Sequence, residues 1–467
     1  TNPNGFLLWV AIADVAHYVV PGSALDSEAR HRGNSTYFPD RVVPMLPDRL
    51  SGDLCSLHEG VTRPCIAVEM KLSTNGEKIS HRFVRGMMRS PASLSYEEAQ
   101  AAIEGNPSER AAPLVESVLK PLFAAYDSLK IARNIRQPLE LDLPERKIKL
   151  SDAGKVVSIN FSERLDAHRL IEECMVLANV AAAETLIEKQ QPLLFRVHEE
   201  PSPEKLESLR ETAKSVGLVM AKGQVLKTRH LNQLLKSADG KDEAELINLS
   251  TLRSMTRAYY SPQNMSHFGL ALQNYAHFTS PIRRYADLLL HRALVSAHSW
   301  GKDGLSPQDV EMLDETAKQI SDTERRSMVA ERDTTDRYLA SFMAERVGNE
   351  FSGRISGIAR FGIFVKLDET GADGLVPIRS LGREYFEHDA ETQTLRGTES
   401  GTVIGLGQRA VVRLSGATPT TGGILLELLE LEDSKLQRCP GRRKNGYSGS
   451  KRGSPKGKSR KVTRKRQ

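Results

Sequence analysis

The stretch HFTSPIRRYADLLLHR, residues 277–292, tells more about fold and function than any other part of the chain. Two consecutive arginines, Arg283 and Arg284, follow a Thr-Ser-Pro turn and precede an apolar helical run that ends in His291 and Arg292. A guanidinium group is always charged, and its fork of donors fits the edge of a phosphate. The pair therefore predicts an anion clamp on a rigid helix. Ordinary arginines on a helix surface are the simpler explanation when the pair is taken alone.

The length and composition of the chain indicate a large folded protein. Its 467 residues are enough for two or three domains, and 39% of them are hydrophobic. No apolar run approaches the length that crosses a membrane, and the first residues lack the basic stretch of a secretory signal. The four cysteines show no Cys-x-x-Cys spacing, so we expect neither a zinc site nor a disulfide framework, and we expect a cytoplasmic location.

The positive charge of the chain is concentrated at its C-terminal end. The last 33 residues contain 14 lysines or arginines and no acid. Subtracting these 14 charges from the net charge of +6 leaves −8 for the rest of the chain. Such a segment buries too little apolar surface to offset its ordering entropy, so we expect a disordered basic arm.

The first hundred residues have mainly strand character. Residues 6–19 are rich in aromatic and β-branched residues and predict a strand or a pair of strands. Residues 63–72 alternate apolar and polar side chains, and Asn75-Gly76 then predicts a hairpin turn into a returning strand over 83–88.

Helical patterns take over from about residue 109. A long helix is predicted over 168–190, and Ser202-Pro203 and Ser306-Pro307 each combine an N-cap with a first-turn proline. After the second of these signals the helical pattern continues to about residue 346, with room for a break. Its predicted apolar stripe consists of Val310, Leu313, Ala317 and Ile320.

A second domain begins near Val347 and has the pattern of a small barrel. Short strands alternate with glycine-rich bends over about 85 residues. Alternation along ARFGIFVKL places Phe361 and Phe364 on opposite faces, so that one ring can stack on a base while the other fills the core. A barrel core with incidental surface charge explains this segment equally well.

Some polar residues stand where they need an explanation. Tyr37 and Tyr96 can stack on a base or bond a ribose, or can be half-buried surface tyrosines. Glu172 lies within a helical pattern and is either buried and paired or facing water, while Glu331 belongs to a charged, salt-bridged helix face. Asp14, inside an apolar strand, requires a partner. The chain shows no dense carboxylate cluster of the kind that holds two divalent metals.

These segments together resemble a known family. The matching strings include GFLLWVAIADVAHYV, YFPDRVVPMLPDRLSGDLCSL, HRLIEECMVLAN, LLFRVHEEP, the TSPIRRYADLLLHR region and MVAERDTTDRYLA. They cover residues 1 to about 345 and resemble bacterial ribonuclease R enzymes of the RNase II (RNB) exoribonuclease family. The resemblance implies an α+β catalytic domain over 1–345, with a mixed, largely antiparallel sheet packed by helices. It further implies an all-β OB-fold RNA-binding barrel of the ribosomal S-one type over 347–432 and a disordered basic tail over 433–467.

The activity implied by the resemblance is processive 3′→5′ hydrolysis of RNA to nucleoside 5′-monophosphates. In this family four aspartates hold two Mg²⁺ ions, and those aspartates and the cold-shock domains are expected ahead of Thr1. The alternative is a non-catalytic RNA-binding protein, which the sequence ahead of Thr1 would distinguish. The expected partners are single-stranded RNA 3′ ends and structured RNA, with the ribosome or the RNA-degradation machinery as further candidates. We expect a monomer without membrane contact.

The resemblance also assigns roles to single residues. Arg283 corresponds to the arginine that grips the scissile phosphate, and Glu331 to the acid near the terminal nucleotide. Tyr37 corresponds to the aromatic that stacks on the 3′ end. Tyr96 and Glu172 resemble the pair that reads the ribose 2′-hydroxyl. The remaining predicted RNA-binding residues are Arg284, Phe361 and Phe364.

Overall fold

The computed structural model describes residues 5–141, 146–161, 163–220, 225–241, 244–389, 393–431 and 434–435. A larger part that mixes helices and sheets is followed by a β-barrel, which confirms the predicted α+β fold class. The tail predicted over 433–467 lies outside the described residues except for Ser434–Lys435, which form a short strand. The predicted disorder was therefore wrong for these two residues. None of the helices in the described part of the chain is both long and apolar enough to cross a membrane.

The elements of the larger part follow one another in a mixed order. Its strands are β1 (Phe6–Ala13), β2 (Thr36–Tyr37), β3 (Val42–Val43), β4 (Thr62–Leu72), β5 (Lys78–Arg89), β6 (Arg146–Leu150), β7 (Val156–Phe161), β8 (Phe195–Val197) and β9 (Tyr259–Ser261). Its helices are α1 (Ala24–Arg32), α2 (Tyr96–Ile103), α3 (Lys120–Arg136), α4 (Asp166–Glu188), α5 (Pro203–Ser215), α6 (Thr228–Ala238), α7 (Ala244–Ser254), α8 (Tyr285–His298), α9 (Pro307–Glu311) and α10 (Leu313–Ala344).

An antiparallel sheet in the order β1-β4-β5 forms the base of the larger part. The predicted hairpin at Asn75-Gly76 joins β4 to β5, and Gly76 has a φ of +78°. A Cβ atom there would lie 2.2 Å from the backbone oxygen of Ser128, so the turn requires glycine for both its conformation and its packing. One face of this sheet packs on α3 and α4 in the main hydrophobic core.

The first strand is shorter than predicted because Asp14 ends it. β1 stops at Ala13, and the Asp14 carboxylate caps a short 3₁₀-helix by accepting from the backbone nitrogen of His17 at 3.2 Å. The buried carboxylate also accepts from Nε of Arg85 at 2.7 Å, and Arg85 reaches on to Asp303. Arg85 is the partner that an acid in this apolar segment required.

Helix α8 is the central buried helix, and one end of it is held by a cluster of charged side chains. Arg292 is fully buried and donates from Nη2 to Asp26 Oδ1 at 2.7 Å. The hydroxyl of Tyr285 donates to the same oxygen at 2.8 Å, and Arg30 pairs with Asp309 at 3.2 Å. Two arginines face two aspartates, so the charges balance. We call these five residues the Arg292 cluster.

The longest helix, α10, connects the two parts of the protein. Its 32 residues span about 48 Å. Near its start Ala317 and Ile320 pack beside α8, and near its end Leu339 and Met343 belong to the barrel core. The predicted apolar stripe was wrong at Val310, which is 43% exposed. Val310 lies on α9, and the break at Met312 shifts the helical phase before α10 begins.

The barrel has the closed connectivity of an OB fold. Its strands are β10 (Glu350–Ala359), β11 (Gly362–Leu367), β12 (Asp373–Pro377), β13 (Phe386–Asp389), β14 (Thr394–Gly397), β15 (Val403–Ile404), β16 (Arg409–Thr418), β17 (Gly423–Leu431) and β18 (Ser434–Lys435). The order β12-β11-β10-β16-β17 closes through a parallel pairing of β12 with β17. The small sheet β13-β14-β15 is inserted between β12 and β16. The domain limits 345 and 347 stay a prediction, since α10 contributes side chains to the barrel core.

Replacing Arg292 with methionine tests the energetic weight of the Arg292 cluster. The change leaves the carboxylate of Asp26 buried without its cation, so we expect the free energy of unfolding to fall by about 3–5 kcal/mol. Urea denaturation followed by circular dichroism measures this loss. Arg332→Met is the control, because Arg332 is exposed and its ion pair with Asp333 spans 3.7 Å. Equal stability of the two variants would contradict the assignment.

Candidate functional site

The Thr-Ser-Pro turn ahead of α8 is fixed by a buried carboxylate. Asp287 is fully buried and accepts from the backbone nitrogen of Ser280 at 2.7 Å. It also forms a two-point pair with Arg284, at 2.8 Å from Nε and 2.9 Å from Nη2. Burial opposes the charge of Arg284, but the Asp287 carboxylate outweighs it, and the pKa of Arg284 is raised. Arg284 therefore holds the turn, and its direct contact with RNA stays a prediction.

The neighbouring arginine has a different environment. The side chain of Arg283 is exposed and makes no hydrogen bond or ion pair with any residue that the structure describes. Its backbone oxygen accepts from the nitrogen of Ser35 at 3.0 Å, and the nitrogen of Tyr285 donates to Gly33 at 2.9 Å. The segment before β2 is thus attached alongside the turn, and the guanidinium of Arg283 remains available.

The same segment places Tyr37 in contact with Glu331 of α10. The backbone nitrogen of Tyr37 donates to Glu331 Oε1 at 2.6 Å, and the hydroxyls of Thr36 and Ser327 lie 2.9 Å apart. The Tyr37 side chain is 47% exposed. Ser35 and Tyr37 are two residues apart, or about 7 Å in an extended chain. The structure therefore brings Arg283, Tyr37 and Glu331 together on one surface, which we call the Arg283 surface.

Tyr96 and Glu172 belong to a second group at the start of α4. Tyr96, the first residue of α2, stacks on the ring of His168 with centroids 4.1 Å apart and planes at 25°. Glu172 lies one helical turn after His168, at the surface, and is paired with Arg164. Its neighbour Glu173 is the buried, paired glutamate, held by two arginines of α3. We call Tyr96, His168 and Glu172 the Tyr96 group.

His168 was missed by the sequence reasoning. The available signal was its spacing of four residues from Glu172 in HRLIEEC, which puts both side chains on one helix face. Its Nδ1 atom is buried and has no hydrogen-bond partner among the described residues. The stack with Tyr96 could not be read from the sequence, because the two residues belong to different helices.

Helix α4 ties this group to the Arg283 surface. The Asn179 side chain, two turns after Glu172, accepts from the backbone nitrogen of Phe278 at 2.8 Å and donates to the hydroxyl of Tyr275 at 3.0 Å. Phe278 directly precedes the Thr-Ser-Pro turn. One buried side chain thus fixes the turn to the helix that carries Glu172.

A neutral histidine cluster lies beneath the turn. His277 is buried, and its Nδ1 lies 2.9 Å from the hydroxyl of Tyr260. Burial, reinforced by Arg284 and Arg196, lowers the pKa of His277 well below its usual value. Burial also lowers the pKa of His267 to about 3. The two imidazoles are therefore uncharged at neutral pH, and they add no positive charge beside the arginines.

The barrel phenylalanines are arranged differently from the prediction. Phe361 lies in the turn between β10 and β11 and is 58% exposed. Phe364 points to the outer face, with the two rings edge to face at 6.0 Å, while Ile363 and Val365 fill the core. The expectation that one phenylalanine fills the core was wrong, because strand alternation starts only at Gly362. Base stacking by either ring stays a prediction.

Metal ligands are not assembled in the described part of the chain. No three histidine, cysteine, aspartate or glutamate side chains among the described residues converge as a metal site. The buried carboxylate of Asp14 is bound to Arg85.

Comparison with known proteins identifies similar folds and sequences. The RNB domain model matches residues 1–299, and the S1 RNA binding domain model matches residues 345–428. Ribonuclease R of Escherichia coli is 40% identical over 439 residues, which cover 92% of this chain and 54% of that protein. Ribonuclease R of Vibrio cholerae is 38% identical over 472 residues, covering 99% of this chain and 57% of that protein. The chain spans about half the length of these relatives.

Solved structures of an RNase R are also similar to this chain. The apo form of Mycoplasma genitalium RNase R superposes with a TM-score of 0.86 at 32% identity, covering 92% of this chain and 67% of that one. The same protein in complex with ribose methylated single-stranded RNA gives the same values. Its complex with double-stranded RNA has a TM-score of 0.80 at 30% identity, covering 92% and 71% of the two chains.

The histidine cluster predicts that the protein loses stability in acid. The folded chain keeps His267 neutral down to a pKa of about 3, whereas the unfolded chain protonates it near pH 6.5. Unfolding then takes up a proton, so the free energy of unfolding falls as pH drops from about 6.5 toward 3.

His267→Gln should remove up to about 1.4 kcal/mol per pH unit of this dependence. Urea denaturation at a series of pH values measures it. Above pH 7 the difference between variant and parent should be constant, which serves as the internal control. An unaltered slope in the variant would exclude His267 as a source of acid sensitivity.

Proposed function

The chain belongs to the RNB family, and from this we propose that it acts in the 3′→5′ exonucleolytic hydrolysis of RNA to nucleoside 5′-monophosphates. The observation that carries the proposal is the Arg283 surface, where three distant segments meet. They bring together an arginine without a side-chain partner among the described residues, an exposed tyrosine and a glutamate. The S1 RNA binding domain match of the barrel supports RNA as the substrate class.

Arg283 is proposed to grip the scissile phosphate. Its guanidinium is exposed and unpaired among the described residues, while its neighbour Arg284 is bound to Asp287 and holds the turn. A fork of donors on a fixed turn binds a phosphate at two points without first breaking an ion pair. Arg284 then serves as a positioning residue for Arg283.

Glu331 and Tyr37 are proposed to hold the terminal nucleotide. Glu331 Oε1 accepts from the Tyr37 backbone, and Oε2 has no hydrogen bond with a described residue, so it is available to a ribose or a base. The exposed Tyr37 ring offers a stacking face for the 3′-terminal base, a contact typically contributing about 1–3 kcal/mol.

Tyr96 and Glu172 are proposed to read the ribose 2′-hydroxyl. Glu172 is bound to Arg164 in the free protein, so a hydroxyl group has to replace or share this contact. His168 holds the Tyr96 ring by stacking, which supports a fixed orientation of the phenol. In the barrel, Phe361 is the exposed ring suited to stacking, and Phe364 supports its edge.

Ribonucleases of the RNB family depend on a metal, and we propose Mg²⁺ because hard cations prefer phosphate oxygens. The described residues do not fit a metal centre, so no step of the mechanism is derived through one. The partners that we propose are single-stranded 3′ ends and structured RNA, together with ribosomes or RNA-degradation proteins. A monomer in the cytoplasm is proposed on the same resemblance.

The activity is tested with the protein expressed from its own gene. With Mg²⁺ and an RNA labelled at its 5′ end, we expect unlabelled nucleoside 5′-monophosphates and a labelled strand that shortens from the other end. A circular RNA of the same sequence offers no 3′ end and should stay intact. Binding of the linear RNA without any mononucleotide would instead support a non-catalytic RNA-binding protein.

The role of Arg283 is tested in the same assay. Arg283→Ala removes a charge-stabilising donor pair, so kcat should fall about 100-fold or more with a much smaller loss of RNA affinity. Arg283→Lys should recover little of the lost kcat, because an ammonium group cannot bind a phosphate in the same two-point geometry. Arg332→Ala, at an exposed position on α10, is the matched control. Turnover equal to that control would remove Arg283 from the mechanism.

A further inference from the structure

The hairpin formed by β6 and β7 has two chemically different faces. Ile148 and Ile159 oppose each other in the register and pack against the barrel core. Lys147 and Lys149 alternate with Ile148 and are exposed. One face therefore anchors the hairpin to the barrel, and the other presents two lysines at the surface.

The hairpin lies between the barrel and the Tyr96 group. On the barrel side, Arg146 donates from Nη1 to the oxygen of Gly371 at 2.8 Å. On the other side, the pKa of Glu97 is lowered, first by hydrogen bonds from its own backbone and from Ser95, and then by the charges of Lys147 and His168. Glu97 directly follows Tyr96, so the Lys147 ammonium lies within electrostatic reach of that group.

The charge of this hairpin differs from that of its surroundings. Residues 146–161 contain four lysines or arginines and one acid, a net charge of +3, whereas the chain ahead of Lys435 carries −8. Neither Lys147 nor Lys149 forms an ion pair with a residue that the structure describes. Across the strand pair they face Asn160 and Ser158, which offer hydrogen bonds and no negative charge.

We propose that Lys147 and Lys149 form a phosphate-binding rail for single-stranded RNA between the barrel and the Tyr96 group. Residues two apart on a strand are separated by about 6.8 Å, so each lysine can face a different phosphate of an extended strand. Lysine binds phosphate as a point charge and reads no base, which suits a rail along which RNA advances. The proposal rests on the proposed function, since it takes RNA as the ligand and the Tyr96 group as its destination.

The test compares two variants of the whole chain by fluorescence anisotropy with a labelled RNA of about 12 nucleotides. Lys147→Gln/Lys149→Gln should weaken binding about tenfold at moderate salt and should reduce the salt slope of log K by about 1.4, or about 0.7 for each phosphate that a lysine no longer neutralises. A DNA strand of the same sequence should lose as much affinity as the RNA, because the rail binds phosphates and not the ribose.

Lys155→Gln is the single-charge control from the same hairpin, since Lys155 is an exposed lysine in the turn between β6 and β7. A single exposed charge at the turn should change the salt slope by no more than the error of the measurement. If the double variant loses no more than twice the RNA affinity that Lys155→Gln loses, the rail is excluded and the two lysines are ordinary solvated side chains. That outcome is separate from the nuclease assay, in which the proposed function fails if no mononucleotide is released. Circular dichroism should show that both variants fold.

Discussion

The balanced ion cluster around Arg292 is the interaction on which the rest of the site depends. Taking two arginines and two aspartates out of water is costly, and the cost is offset only when every charge finds a partner in good geometry. Asp26 meets both Arg292 and Tyr285, and Arg30 meets Asp309. These interactions fix α8 against α1 and α9. The turn that carries Arg283 directly precedes α8, so its position follows from this cluster.

A second constraint is the length of α10. A single helix that packs beside α8 at its start and against the barrel at its end leaves little freedom between the two parts. Glu331 lies near the middle of this helix and meets Tyr37 there. The β6–β7 hairpin also packs against the barrel core, through Ile148 and Ile159. The larger part and the barrel therefore share a core, and surface residues from both can face one extended ligand.

Local patterns predicted the local structure well. The Asn75-Gly76 turn and the helix that begins at Pro203, with Ser202 as its N-cap, depend on neighbouring residues alone, and both are present. The errors fell where a local rule met a break in regular structure. Val310 is not part of the apolar stripe, because the break between α9 and α10 changes the helical phase. Phe364 is not part of the core, because Phe361 lies in a turn and strand alternation begins only after it. Alternation and helical spacing hold only within one uninterrupted element.

The sequence by itself determined the fold class, the barrel and the family, since these depend on periodicity, turn residues and the order of motifs along the chain. It also identified the arginine pair. Only the tertiary structure decided which arginine of the pair is bound to Asp287 and which has no side-chain partner among the described residues. Only the tertiary structure joined Tyr37 to Glu331 across 294 residues of chain. The stack of Tyr96 on His168 is equally non-local. Such interactions arise from packing between separate elements, and no spacing within one element encodes them.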